Sequence, residues 1–186
     1  MRANVLSVGA RRWRLVVWCA ALALLLMPGL AMKLTYMVQW NKYDFAVFAS
    51  MLAGACVAYE LLARGRPSHF YRAGFGLGLL GAFLLVWLNL EVGLIGSESD
   101  PANLMFGGVL LIGAAGAAVA RLQPRGMSWT LAAMAGAQAM AAGIGVVMGW
   151  HQPLVLQALF VMLWGACALL FRRGDGQLGR LQAQAT

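Results

Sequence analysis

Residues 110–139 read LLIGAAGAAVARLQPRGMSWTLAAMAGAQA, two apolar runs joined by the short basic turn ARLQPRGM at 120–127. Each run approaches the roughly 20 apolar residues a helix needs to cross a hydrocarbon core of about 30 Å, at about 1.5 Å of rise per residue. A turn this short, holding Pro124 and Gly126 and marked by Arg121 and Arg125, returns the chain antiparallel and leaves both basic ends in one aqueous phase.

The rest of the chain repeats this grammar. In 186 residues, 62% are hydrophobic and only 11% charged, and the mean hydropathy is +0.75. A water-soluble core of this size has no room for so much apolar surface, so the solvent for most side chains is lipid. Six segments approach span length: 13–32, 45–63, 73–95, 104–120, 129–149 and 154–171. Lipid offers no partners to backbone N–H and C=O groups, and none of the segments alternates as barrel strands do. The predicted fold is therefore all-α, a polytopic transmembrane helical bundle. Its connections are too short for a second folded unit, so residues 1–186 are expected to form a single integral membrane domain.

Charge orients the bundle. Twelve of the fourteen Arg and Lys residues occupy one set of ends: Arg2, Arg11, Arg12 and Arg14; Arg64, Arg66 and Arg72; Arg121 and Arg125; Arg172, Arg173 and Arg180. The first connection holds Lys33, Lys42 and Asp44, the third Glu98 and Asp100, and the fifth only His151. Short loops rich in Lys and Arg stay cytoplasmic, so this pattern predicts both termini inside. The net charge of +8 is topology signal, with attraction to anionic head groups as a side effect and nucleic acid not among the expected partners. The first segment carries a second reading. Its basic start, apolar run and small residues Gly29 and Ala31 also describe a signal peptide, and cleavage after Ala31 would leave five spans. The apolar run continues past Pro28 to Met32, which favours a retained signal anchor.

In lipid, helices associate through small residues that let backbones approach. Ala46, Ser50, Gly54 and Ala58 recur every four residues, as do Gly74 and Gly78, Gly113 and Ala117, and Ala133, Ala137, Ala141 and Gly145. This spacing predicts intramolecular packing of a tight bundle, with a homodimer seam or contact with other membrane proteins as the alternative.

Several chemical-looking patterns dissolve on inspection. Gly76, Gly78 and Gly81 spell G-x-G-x-x-G, but inside a span rather than on the strand-to-helix turn that dinucleotide binding requires. His69 and His151 fall at opposite ends of the bundle, so they form no ligand pair for a haem or metal. Cys19, Cys56 and Cys167 lack C-x-x-C spacing and read as small buried hydrophobes. No cofactor is expected.

The densest polar cluster lies at the outer end of the third span: Asn89, Glu91, Ser97, Glu98, Asp100 and Asn103, punctuated by Gly93 and Gly96. With a helix starting near residue 73, Glu91 falls about 27 Å along it, near the outer interface, and an ionisable group at such depth is a functional candidate by default. Asp100-Pro101 fits an N-cap followed by proline at the first helical position, Ser68 and Gln152-Pro153 suit the same device, and Ser128 can cap the fifth helix. Gln138, near the middle of the fifth span, is placed to bridge helices.

The stretch WLNLEVGLIGSESDPANLM (87–105) followed by ARLQPRGM (120–127) resembles a family of small bacterial multi-pass inner-membrane proteins with an N-x-x-V-G-x-I-G-x-E-x-x-x-A-N-x-M core and no assigned activity. The resemblance covers the third and fourth spans and implies location and topology, not mechanism. Asn89, Glu98 and Asn103 match its fixed positions; Glu91 falls at a variable one. No nucleophile and base, ligand set or soluble domain is legible, so the expected function is non-enzymatic: an accessory, assembly or scaffold component of the membrane. The alternative is a small cation- or proton-coupled transporter or channel using the polar cluster. An intramembrane enzyme would need two carboxylates in one cavity, for which Glu91 and Glu98 are the candidates.

Overall fold

In the computed structural model the described residues are 2–35, 39–63, 66 and 68–183, with the side chains of 2–14, 16, 178 and 180–183 not described. Arg64 therefore lies outside the description, as do the side chains of Arg2, Arg11, Arg12, Arg14 and Arg180. The fold is all-α and polytopic: α1 (Arg2–Leu34), α2 (Lys42–Leu62), α3 (His69–Glu91), α4 (Leu104–Val119) preceded by a 3₁₀ turn at Pro101–Asn103, α5 (Pro124–Val147) and α6 (Leu154–Ala183). All six are long and apolar enough to cross a membrane once that turn is counted with α4. Leu26, Leu61, Leu111, Met140, Val155 and Met162 stand exposed on their flanks, as side chains solvated by lipid do. The protein is a multi-pass membrane protein.

The chain divides into two compact units, residues 1–58 and 59–186. In the first, Trp40 sets its ring edge-on to Phe45 and Phe48 at the start of α2, and Phe45 reaches Gly29 of α1. In the second, α6 packs against both α5 and α3, and α4 against α5, while α3 and α4 touch little. The core runs through α3, α5 and α6, with Tyr71, Leu85, Phe160, Trp164, Cys167 and Phe171 at its centre.

Helix ends depart from the hydropathy reading in instructive ways. α3 begins at His69 rather than near 73, because Ser68 caps it by accepting from the Tyr71 N–H. The 23-residue helix then stops at Glu91, since Gly93 takes φ +74° and donates back to the Leu88 carbonyl. α5 begins at Pro124, with Gln123 as its N-cap. Ser128 is thus not a cap: it lies inside the helix, and its hydroxyl donates to the Ala168 carbonyl of α6. The turn before α5 is made instead by Arg121 and Leu122, both with positive φ, and the Tyr71 hydroxyl donates to the Leu122 carbonyl. α6 continues to Ala183, well beyond the apolar run ending near 171. This extension leans on the N-terminal end of α3, where the Ser68 hydroxyl donates to Gln177 Oε1 and Gly174 lets the helices close.

Candidate functional site

The C-terminal end of α3 and the loop to α4 hold the polar cluster, and Asn103 organises it. Its side chain is 95% buried and makes four hydrogen bonds to loop backbone: Oδ1 accepts from the N–H groups of Leu94 and Ile95, each at 2.9 Å, and Nδ2 donates to the carbonyls of Ile95 at 3.1 Å and Ser97 at 2.6 Å. A carboxamide suits this work because it offers acceptor and donor on one rigid plane. Asn89, two residues before the end of α3, donates from Nδ2 to the Asn103 carbonyl at 3.1 Å.

Backbone chemistry explains why the loop folds this way. Gly93 and Gly96 have φ of +74° and +63°, and an added Cβ at Gly93 would overlap the Ser97 carbonyl. Leu94 and Ile95, fully buried, plug the loop into the core. Asp100 caps the 3₁₀ turn, its Oδ1 accepting from the Ala102 N–H at 2.9 Å. Ser97 and Ser99 hydroxyls lie 3.1 Å apart on the exposed bend. The Gly96 N–H donates to the His151 carbonyl at 3.0 Å, tying this loop to the α5–α6 turn.

The sequence-predicted residues therefore separate into two groups. Asn89, Asp100 and Asn103 converge, together with Glu98, on an open cleft of about 490 Å³ that also takes in Leu104 and Gly107. Glu91 is not in that cleft. As the last residue of a helix that starts at His69, it lies about 33 Å along the axis and is exposed. The carboxylates sharing this cleft are Glu98 and Asp100. One polar atom of the cleft, Asn89 Oδ1, is buried without a hydrogen-bond partner.

Small residues also divide. Gly74 lies against Leu170 and Phe171 of α6, and Gly113 against the Met134 thioether of α5. Gly81, Gly116 and Gly126, which the four-residue spacing did not single out, are packed more closely still, against Leu163, Thr130 and Ala120. Gly54 and Gly78 have nothing within 4 Å of an added Cβ, and Ala46, Ser50 and Gly54 form an exposed strip on α2.

Deeper in the second unit Gln138 donates from Nε2 to Gln157 Oε1 at 2.7 Å, both side chains wholly buried between α5 and α6. Gln157 escaped the sequence reading because it sits in the first turn of α6, where a polar residue passes for interface. A scan against protein-family models and searches of curated proteins and of solved structures found nothing that matches this chain.

Proposed function

We propose that this protein resides in the bacterial inner (cytoplasmic) membrane with both termini inside, and acts without catalysis as an accessory, assembly or scaffold component through helix contacts. The observation that supports this reading is the strip Ala46–Ser50–Gly54, exposed on α2 within the first unit. Gly54 meets no atom that would obstruct a Cβ, and Ser50 satisfies its own hydroxyl by donating to the Val47 carbonyl. Between apolar helices in an apolar solvent, such a strip is where another backbone approaches closely enough to gain dispersion contact. Purification in mild detergent with mass identification of co-purifying chains tests it. A stoichiometric partner, or a second copy, lost in Gly54→Leu is the expected result; a lone stable monomer in both wild type and variant refutes it.

A second reading, a small cation- or proton-coupled carrier, is favoured by the cleft of about 490 Å³ lined by Asn89, Glu98 and Asp100 and by the unsatisfied Asn89 Oδ1. Flux through proteoliposomes that vanishes in both Asn89→Ala and Glu98→Ala would support it, and flux indifferent to both would remove it.

A further inference from the structure

Between α5 and α6, at the end of the bundle opposite the Asn103 loop, runs a second cleft of about 640 Å³. Arg125 in the first turn of α5 and Arg172 on α6 line it, Trp129 stands at its rim with 73% of its surface exposed, and Ala132, Gly165 and Ala168 line its apolar stretch. We propose that this cleft seats a phospholipid with an anionic head group, the phosphate held by Arg125 and Arg172 and an acyl chain lying over the small residues.

The chemistry is complementary at each level. Guanidinium forks match phosphate oxygens in bidentate geometry, and both arginines are exposed where a head group lies. Asp175 also lines the cleft, but a single carboxylate leaves the two cations in excess. The first turn of α5 adds to the attraction: it holds no acidic residue, and Gln123 supplies no side-chain cap, so the positive end of that helix is not neutralised. An exposed tryptophan at this level suits the zone between head groups and hydrocarbon. Below it the floor is open, since a Cβ on Gly165 would meet nothing within 4 Å. The same residues give a second copy of this chain less to hold, because two arginine-lined clefts brought together would repel.

Native mass spectrometry of the delipidated chain, with phosphatidylglycerol or phosphatidylcholine added, tests the site. Expected is retention of one phosphatidylglycerol in preference to phosphatidylcholine, reduced about fivefold by either Arg125→Gln or Arg172→Gln, as for the loss of one cation at an anionic membrane surface. Arg173→Gln, one residue along but outside the cleft, leaves retention unchanged, and Gly165→Leu lowers binding of both lipids by filling the floor. Circular dichroism shows each variant to be folded before it is scored. Equal retention of the two lipids by the wild type, an unaltered preference in the two cleft variants, an equal loss in Arg173→Gln, or a lipid-free dimer would each overturn the proposal.

Discussion

Asn103 shows how much of a membrane protein's polar chemistry goes into its own backbone. In Asn103→Ala, the N–H groups of Leu94 and Ile95 and the carbonyls of Ile95 and Ser97 lose their partners at once, in a loop whose apolar side chains are fully buried. Each buried polar group left bare costs about 1–3 kcal/mol, with partial relief where water reaches the loop. The expected outcome is a fall in the detergent melting midpoint and faster proteolysis within 92–103, with Asn103→Asp intermediate because it keeps the acceptor and loses the donor. Equal melting of wild type and Asn103→Ala would contradict this role. That a polar cluster exists here was legible from 87–103 alone. Which residue commands it was not, because the answer depends on Gly93 and Gly96 turning backbone groups inward, and no side-chain pattern encodes that direction. Nor did a helix register counted from residue 73 place Glu91 correctly, since the Ser68 cap moves the start back by a full turn.

At the scale of helices, two glycines three residues apart on α3 make opposite predictions. A Cβ at Gly81 would come within 2.6 Å of Leu163 and 2.9 Å of the Trp164 ring, whereas one at Gly78 meets open space. Gly81→Ala should lower the melting midpoint, by about 1–3 kcal/mol of overpacking strain. Gly78→Ala should match or exceed wild type by about 0.5–1 kcal/mol, the helix preference of alanine over glycine. The reverse order in thermal melts would show that α3 and α6 do not meet as described. The Gln138–Gln157 bond makes a third case. Gln138→Leu strands Gln157 in an apolar interior, while the double Leu variant removes both amides, so the double should recover stability relative to either single in a melting cycle. Span number and connections were readable from hydropathy. The extent of α6 was not, because it passes from lipid into water without a break, and a hydropathy window registers the change of solvent rather than the end of the helix.

For the molecule as a whole, the arginine distribution predicts which end faces the cytoplasm. With the native Cys19, Cys56 and Cys167 replaced, Ser99→Cys should react with a membrane-impermeant maleimide in intact cells with a permeabilised outer barrier, and Gln123→Cys only after lysis. Reversed labelling would invert the orientation, and with it the leaflet that supplies lipid to the α5–α6 cleft. The single hydrogen bond from the Gly96 N–H to the His151 carbonyl matters at this same scale. It fastens the linker of one helical hairpin to the linker of the next, so the hairpins α3–α4 and α5–α6 share a latch on one side of the bilayer. Any rocking of one against the other, the motion by which a carrier would alternate its access, must either pivot about that latch or release it first.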